Sequence, residues 1–466
     1  MSDTLDRYAS LLEAVTVDLS QPLPPCIWRN PLKVEASRFD HWLQSEPITA
    51  IPLGWYPDAF RCPGWQKPGA TLAFAAGWYY VQEEIALTAV QALDPQPGET
   101  VLDLCAAPGG KTAQIALRVG HQGQVVANEK NLTRLASLTT TIARLGLWNV
   151  ITTHADGRDL PLPNHTYDRV LVDAPCSGEG TFRKQSGRDR AAAKTWNAAF
   201  SQGLARVQQA LLDRALQLVK PGGVVVYSTC TFAPEENEAV IDAVLGDRGE
   251  LEAIALGNLQ AQPGLCHWQG QTYRADLAQA QRFFPHHNDT GGFFIARIRR
   301  TTAHLSPTSP PSPDSPVQPL APAAAIAWLG DRFGLPPTAL ADFQLWRKGK
   351  DKVWATTRAC QPTVPLIPQS LGLILLRIGQ ADYKPTTFAL QALGTHLQKN
   401  VIDLATPTAV RLFLQGQTQP LQADVQPGYV HVRYQAFELG CGLYREGHLH
   451  SQIPKILRSL PLSRYP

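Results

Sequence analysis

Two cysteines that stand at the ends of apolar runs are the residues of this sequence with the clearest capacity for chemistry. Cys176 lies in the segment Asp173 to Gly178 (DAPCSG), and Cys230 follows the apolar run that ends at Ser228. If both runs are strands, the two thiols reach one crevice from the ends of different strands. A thiolate is a strong nucleophile that can leave again, but many buried cysteines are inert. The pair therefore predicts covalent catalysis only if other segments supply the rest of a site.

The segment from Val101 to Thr112 (VLDLCAAPGGKT) has the form of a strand, a loop of small residues and the start of a helix. Small residues let the backbone approach a ligand at a helix N-terminus. A phosphate-binding loop needs glycine where Cys105 stands, and this segment lacks the dinucleotide fingerprint GxGxxG. S-adenosylmethionine fits better, because it needs a close-fitting loop and an acid for its ribose, such as Glu129 at the next strand end. A turn that binds nothing stays open, although Asp156 at a third strand end counts against it.

The elements that must position these residues alternate between strand and helix. Alternation of this kind predicts an α/β fold with a doubly wound, mostly parallel sheet, in which ligands bind outside the carboxyl ends of the strands. The predicted strands are Thr100–Leu104, Gly123–Asn128, Val150–Thr153, Arg169–Val172, Gly223–Ser228 and Gly292–Arg297, and the predicted helices are Gly110–Val119, Leu132–Leu145, Gln202–Val219 and Glu235–Leu245.

The chain divides into five predicted parts. Residues 1–85 read as a small α+β domain, and residues 86–303 as the α/β domain. Residues 304–322 are rich in proline, serine and threonine and are predicted to form an extended linker. Residues 323–395 read as a second α+β domain, and residues 396–466 contain short strands and a basic tail. Because each side of the linker has its own apolar residues, we expect the two sides to fold independently.

Composition limits the classes of function. The chain has 466 residues, 44% hydrophobic and 17% charged residues, and a formal net charge of only +3. It is therefore not a strongly basic wrapper of nucleic acid, and contacts with nucleic acid must use local patches. The eight cysteines are scattered, without a CxxC motif, which fits reduced thiols. No signal peptide or membrane-spanning run is visible, so we expect a cytoplasmic protein without a membrane partner. We also expect a monomer.

Five long segments resemble the Sun-type RNA 5-methylcytosine methyltransferases, especially the RsmF group, which acts on small-subunit ribosomal RNA. The resemblance covers about residues 20–300, and residues 396–466 resemble the PUA-like RNA-binding module of that group more loosely. It implies the class I S-adenosylmethionine-dependent methyltransferase fold for residues 86–303, with RNA as the partner. The segments are Gly77–Glu83, Asp103–Thr112, Asp173–Lys184, Tyr227–Val240 and Arg282–Ala296.

The resemblance also implies roles for single residues. Cys230 is the expected nucleophile, which attacks carbon 6 of cytosine and forms a covalent adduct, and Cys176 is expected to assist product release. Asp173 is expected to have two roles. It would line the cofactor pocket, and it would hold the amino group or the adjacent ring nitrogen of the base. The residues expected to line the S-adenosylmethionine pocket are Cys105, Ala106, Ala107, Pro108, Gly109, Gly110, Lys111, Glu129, Asp156 and Asp173.

Basic residues after the Cys176 segment are the predicted contacts with RNA phosphates, namely Arg183, Lys184, Arg188 and Lys194. A second basic run at 347–352 is interpreted as a solvated face. No metal is expected, because His286 and His287 have no partner at ligand spacing.

Two other functions stay open at this point. A methyltransferase of this kind could act on transfer RNA instead of 16S ribosomal RNA. A protein with a vestigial methyltransferase fold could serve as a non-catalytic ribosome assembly factor, although such a scaffold has no need of Cys176, Cys230 and Asp173 together.

Overall fold

A four-stranded antiparallel sheet forms the first folded unit. The computed structural model describes residues 7, 8, 11, 21–183, 198–301, 317–362, 366–380 and 382–458. In the first sheet the strands follow the spatial order β2-β3-β1-β4, with aromatic side chains of the first helix packed against it. The elements are β1 (Cys26–Arg29), α1 (Ala36–Ser45), β2 (Ile51–Pro52), β3 (Ala59–Arg61), α2 (Leu72–Ala75) and β4 (Tyr79–Gln82).

The central sheet contains the predicted parallel strands, which are buried because helices cover both faces. The elements of this part of the chain are α3 (Thr88–Leu93), β5 (Thr100–Asp103), α4 (Gly110–Val119), β6 (Gln124–Asn128), α5 (Leu132–Leu145), β7 (Val150–Thr153), β8 (Tyr167–Asp173), α6 (Ala198–Leu218), β9 (Val219–Thr229), α7 (Glu238–Leu245), β10 (Gly249–Glu252), β11 (Gln262–Pro263), β12 (His267–Trp268), β13 (Gln271–Thr272), β14 (Gln281–Phe283), α8 (Pro285–Asn288) and β15 (Phe293–Arg300). Of these, β12 and β13 form a two-stranded sheet of their own.

Strands β9, β8, β5, β6 and β7 lie side by side in that order and are parallel, which confirms the predicted doubly wound arrangement. Strands β15 and β14 continue the sheet beyond β9 in antiparallel orientation. The carboxyl ends of the parallel strands therefore meet at one edge, and the loops that follow β5, β8 and β9 lie next to one another.

Two further units follow residue 316. The first contains a five-stranded sheet in the order β16-β17-β18-β20-β21, and the second a five-stranded sheet in the order β22-β24-β25-β26-β23. Within the described ranges, no helix has both the length and the apolar character needed to cross a membrane. The elements are β16 (Gln318–Leu320), α9 (Ala323–Phe333), β17 (Phe343–Arg347), β18 (Lys352–Thr357), β19 (Ser370–Leu371), β20 (Leu373–Ile378), β21 (Tyr383–Pro385), α10 (Thr387–Leu393), β22 (Val401–Asp403), α11 (Pro407–Leu414), β23 (Thr418–Pro420), β24 (Gly428–Tyr434), β25 (Phe437–Arg445), β26 (His448–Ser451) and α12 (Lys455–Arg458).

The two sides of the predicted linker contact each other in this structure, and whether each side folds independently stays a prediction. Strand β19 pairs with β7 and adds a last strand to the central sheet. The Thr152 and Ser370 hydroxyl oxygens are 2.7 Å apart across this pair. At the other end of the chain, the ring centroids of Trp78 and Phe437 are 4.5 Å apart. Residues 318–320 of the predicted linker form β16, residues 304–316 lie outside the described residues, and the domain bounds stay predictions.

Some element bounds differ from the sequence predictions for identifiable reasons. Strand β9 begins at Val219 and not at Gly223, because Val219 already pairs with Tyr167 of β8, and the register shifts before Val224 pairs with Arg169. Helix α7 begins at Glu238, after a short 3₁₀ turn, and is separated from that turn by Asn237. The Asn237 side chain accepts a hydrogen bond from the Thr229 hydroxyl at 2.6 Å, which fixes the chain just after β9.

Candidate active site

A cavity of about 320 Å³ opens at the carboxyl ends of β5, β8 and β9. Both segments singled out in the sequence contribute to its wall, although they are far apart in the chain. The predicted residues that line it are Cys105, Ala106, Ala107, Pro108, Gly110, Lys111, Asp173 and Cys230. Lining residues that the sequence analysis did not assign include Tyr80, Gln82, Glu83, Asp103, Arg134, Gly292 and Phe293.

The loop between β5 and α4 is held tightly against its neighbours. The Ala106 amide donates to the Asn128 carbonyl at 2.9 Å, and the Thr112 hydroxyl donates to the Asp103 carboxylate at 2.7 Å. Burial raises the pKa of Asp103 to about 7. Gly109 has φ 108°, a left-handed conformation that favours glycine. The loop therefore keeps one shape and presents its small residues to the cavity.

Gly110 lies so close to Tyr80 and Gln82 that a side chain at this position would collide with them. A Cβ atom at this position would lie 2.6 Å from Tyr80 Cε1 and 2.7 Å from Gln82 Oε1. Gln82 is itself held in place, since its Oε1 accepts from Trp28 Nε1 at 3.0 Å and from Gln114 Nε2 at 2.8 Å. The N-terminus of α4 can pack this closely against Tyr80 and Gln82 only because this residue has no side chain.

We expect Gly110→Val to weaken binding of the predicted cofactor about fivefold to 150-fold, because overpacking of this kind costs about 1 to 3 kcal/mol. Isothermal titration calorimetry with S-adenosylmethionine measures the effect. Gly203→Ala in α6 is the matched control, since a Cβ there meets nothing within 4 Å. Equal affinities for the Gly110→Val protein and the wild type would contradict the assignment of the cofactor to this loop.

The two candidate catalytic thiols lie together. The Cys176 and Cys230 sulphur atoms are 3.3 Å apart, and both cysteines are reduced. The hydrogen bond with Cys230 and burial together raise the pKa of Cys176 well above its ordinary value, with a further contribution from the Glu236 carboxylate. The raised pKa keeps Cys176 protonated, and either sulphur can be the donor of the hydrogen bond between the two cysteines.

Lys111 and Asp173 form an ion pair beside the thiols. Lys111 Nζ lies 2.8 Å from Asp173 Oδ2, and the Ser228 hydroxyl donates to Asp173 Oδ1 at 2.9 Å. Burial lowers the pKa of Lys111, but attraction to Asp173 and to Cys230 outweighs it and leaves the pKa raised. The ammonium group therefore stays charged, and a thiolate on Cys230 has a cation near it.

Glu236 holds the loop that contains Cys176. Its carboxylate is fully buried and accepts three hydrogen bonds, from the Ser177 amide at 3.0 Å, from Gln208 Nε2 at 3.0 Å and from the Ser201 hydroxyl at 2.7 Å. Ser201 and Gln208 belong to α6, so Glu236 joins that helix to the loop. In the sequence, Glu236 is an acid in the first turn after the Cys230 motif, and no role was predicted for it.

Glycines form the wall between the Cys230 segment and the loop before β15. The Gly180 amide donates to the Cys230 carbonyl at 2.9 Å, and the Gly292 amide donates to the Gly180 carbonyl at 2.9 Å. A Cβ at Gly180 would lie 2.4 Å from the Gly292 carbonyl oxygen, and one at Gly292 would lie 2.1 Å from the Phe232 ring. The three segments approach closely enough to shape the cavity only because these positions lack side chains.

Three predicted cofactor residues do not line the cavity. Gly109 faces Leu138 and Thr141 instead. Glu129 is buried at the end of β6, where it accepts a hydrogen bond from an amide of the following turn and lies 3.5 Å from an Arg134 nitrogen. Their place in a cofactor pocket stays a prediction.

Asp156 is the third of these residues and lies beyond β7. Its carboxylate pairs with Arg158 at 2.7 Å and with Lys130 at 2.6 Å. Hydrogen bonds from Arg158 in particular hold the pKa of Asp156 well below its usual range. The residue shares the carboxyl edge of the sheet with the cavity, and its role in binding also stays a prediction.

Arg183, a predicted RNA contact, is bound inside the protein in this structure, and its contact with RNA stays a prediction. The side chain is buried, lies 2.8 Å from the Asp289 carboxylate and donates from Nε to the Gln21 carbonyl at 3.0 Å. It joins the N-terminal segment to the loop before β15 because its guanidinium group can reach both. The other three predicted contacts, Lys184, Arg188 and Lys194, lie outside the described residues.

Comparisons with known proteins agree with the site. Residues 90–299 match the family described as 16S rRNA methyltransferase RsmB/F, residues 399–459 match the methyltransferase RsmF PUA domain, and residues 319–371 match a family of unknown function. The chain is 32% identical over 447 residues to the ribosomal RNA small subunit methyltransferase F of Vibrio vulnificus (strain YJ016), covering 94% of this chain and 92% of that protein.

Two shorter proteins are similar to the central part. The tRNA (cytosine(49)-C(5))-methyltransferase of Pyrococcus abyssi is 34% identical over 301 residues, which cover 64% of this chain and 95% of that protein. The solved structure of a methyltransferase homolog protein from Pyrococcus horikoshii is 30% identical, with a TM-score of 0.51 over 65% of this chain and 99% of that one. Similarity to the Vibrio protein, by contrast, extends through both sides of the predicted linker.

Proposed function

The chain belongs to the RsmB/F family of 16S rRNA methyltransferases, and we propose that it methylates carbon 5 of a cytosine in 16S rRNA through a covalent bond to Cys230. Its fold is that of a class I S-adenosylmethionine-dependent methyltransferase, and it is an RNA cytosine-C5 methyltransferase. The observation that carries the proposed mechanism is the 3.3 Å distance between the Cys176 sulphur and the sulphur of Cys230, which lines the glycine-lined cavity.

The cavity fits S-adenosylmethionine. The small residues of the loop after β5 line the cavity and would allow close contact between the backbone and this ligand. Residues 105–111 would hold the cofactor from one side, with Tyr80 and Phe293 on the other. When bound, S-adenosylmethionine supplies an electrophilic methyl group to carbon 5 of the base.

Cys230 makes carbon 5 of cytosine reactive. This carbon is a poor nucleophile in the free ring, and addition of a thiolate to carbon 6 turns the ring into an enamine-like species. The Cys176 thiol and the Lys111 ammonium both lie where they stabilise a thiolate on Cys230 before the attack. The target base must leave its stack to reach the cavity.

Cys176 is suited to the later step, in which the adduct loses its carbon 5 proton so that Cys230 can leave. The largest cause of its raised pKa is the Cys230 sulphur. Once that sulphur is a neutral thioether in the adduct, this cause disappears and the pKa of Cys176 falls toward its ordinary value. Cys176 then ionises more readily and can accept the proton directly or through a water molecule that it positions.

The Lys111–Asp173 pair is proposed to hold the base. Asp173 lines the cavity, and Lys111 and Ser228 fix both of its oxygens. From this position the carboxylate can accept from the amino group of cytosine, and the ammonium can offset charge that develops on the ring during thiolate addition. Orientation before the reaction is what makes such a pair effective.

Bisulphite sequencing of total RNA from cells with and without the gene tests the target. We expect one or a few cytosines in 16S rRNA to lose their methylation in the deletion strain and to regain it with the wild-type gene, but not with a Cys230→Ala gene. Because a tRNA cytosine-C5 methyltransferase is 34% identical to the central part, tRNA is sequenced in the same samples. Loss confined to tRNA would overturn the ribosomal target, and no loss in any RNA would overturn the activity.

A further inference from the structure

A basic hairpin in the unit after residue 316 has no part in the reaction described above. Strands β17 and β18 are joined by the turn 348–351, and β20 lies beside them. This hairpin and β20 carry five cations and one acid, which give a net charge of +4. The acid, Asp351, pairs with Arg377 at 3.2 Å. Its cations are Arg347, Lys348, Lys350, Lys352 and Arg377.

The hairpin is ordered by its own contacts. Lys348 Nζ donates to the Gln369 carbonyl at 2.8 Å and lies 5.6 Å from the centroid of the Trp354 ring. Burial and the nearby Lys352 lower the pKa of Lys348. Arg347 and Lys350 are exposed. In the described part of the chain, Asp351 is the sole acid that forms an ion pair with this cluster, so its positive charge is largely uncompensated.

Pairing with the central sheet places the hairpin at the same edge as the active site. Ser370 lies opposite Thr152 near the carboxyl end of β7, and Gln369, which binds Lys348, precedes it. At the opposite end of β7, the Thr357 amide at the end of β18 donates to the Trp148 carbonyl at 3.3 Å. The turn of the hairpin therefore lies on the side where the parallel strands end.

The distance across the sheet from β7 to the strands that carry the two thiols is short enough for one polymer chain to span. Strand β7 is separated from β8 by three steps and from β9 by four, and at about 4.8 Å per step this amounts to roughly 14 to 19 Å. Two further cations, Lys130 and Arg134, follow β6 at the same edge; their side chains are 65% and 53% exposed and pair with Asp156 and Glu129. A strand that enters the cavity can thus continue over these residues to the hairpin.

We propose that the hairpin of β17 and β18 binds the phosphate backbone of the RNA substrate at nucleotides beside the target base. The proposal rests on the proposed function, since it takes the substrate to be RNA. It assigns a role to residues 318–385, and it replaces the interpretation of the 347–352 run as a solvated face. Uncompensated cations on an ordered hairpin neutralise phosphates without reading sequence.

The double variant Arg347→Glu/Lys350→Glu tests the proposal in the full-length protein. We expect the Kd for a fluorescent 16S rRNA transcript to rise about tenfold or more, and the slope of log K against log salt to fall in magnitude by about 2. Calorimetry with S-adenosylmethionine should give the wild-type affinity. Arg358→Glu/Lys399→Glu reverses two exposed cations outside the hairpin, one of them at the opposite end of β18, and should leave both RNA readings within about twofold of wild type.

The other possible results contradict either the hairpin proposal alone or the proposed function as well. If the wild-type protein forms 5-methylcytosine and the hairpin variant keeps its Kd and salt slope, the hairpin proposal is wrong and the proposed function stands. If the variant binds the transcript normally but no longer methylates small-subunit particles, the hairpin contacts a protein and the RNA proposal is wrong. A wild-type protein that methylates no RNA overturns the proposed function and this inference together.

Discussion

Cys230→Ala is expected to lower methyl transfer by at least about 1000-fold, because the first covalent step needs this sulphur. The variant should form neither 5-methylcytosine nor a protein–RNA adduct. It should still bind S-adenosylmethionine, since the residues of the loop after β5 are unchanged. Methylation is measured with a 16S rRNA transcript and radiolabelled cofactor, and the adduct is measured by denaturing electrophoresis.

Cys176→Ala should give the opposite pattern in the same assays. The adduct forms and the methyl group is transferred, but the carbon 5 proton is not removed, so the complex accumulates and survives denaturation. Its formation should require both RNA and S-adenosylmethionine. Cys266→Ala is the matched control, because this reduced, half-buried cysteine donates to the Ala275 carbonyl and does not contact Cys230. The assignment is falsified if Cys230→Ala accumulates the adduct while Cys176→Ala does not.

The second large effect is expected at Glu236. Glu236→Ala removes the acceptor of three buried hydrogen bonds, and we expect a loss of about 3 kcal/mol or more in the free energy of unfolding. Release of the loop that contains Cys176 should also make the adduct persist. Chemical denaturation measures the first effect, and the decay of the adduct under single-turnover conditions measures the second.

Glu236→Gln separates the charge of this residue from its role in packing. The carboxylate is one cause of the raised pKa of Cys176, so its neutralisation lowers that pKa. The rate of adduct decay should therefore reach its plateau at lower pH in the variant than in the wild type. Glu235→Gln is the neighbouring control, because that residue pairs with Arg7. A pH profile of decay that is unchanged in Glu236→Gln would show that Glu236 acts through packing alone.

Local sequence was sufficient to predict the parallel strands and the residues at their ends. Cys105, Cys176 and Cys230 each follow an apolar run, and the rule that ligands bind at the carboxyl ends of parallel strands brings them to one edge. The loop after β5 was recognisable because small residues before a helix have few other uses. These predictions depend on spacing of a few residues, which a single sequence displays directly.

Contacts between distant segments could not be predicted in the same way. Arg183 follows a catalytic motif and reads as a phosphate contact, but Asp289 and the Gln21 carbonyl bind it inside the protein. Glu236 reads as an ordinary acid in a helical first turn, and its buried role depends on partners in α6. The sequence around Arg183 and Glu236 does not indicate these partners, because ion pairs and buried hydrogen bonds depend on which surfaces meet after folding.

The pairing of β19 with β7 also has a consequence for synthesis on the ribosome. Thr152 and Ser370 are 218 residues apart, so the edge of β7 emerges long before the strand that covers it. At about 5 to 20 residues per second, the interval is roughly 10 to 45 s. During this time the nascent chain exposes the unpaired edge of a buried strand, which other chains can join. The central sheet of this protein is therefore completed late in translation, and its assembly depends on protection of that edge until residue 371 has been made.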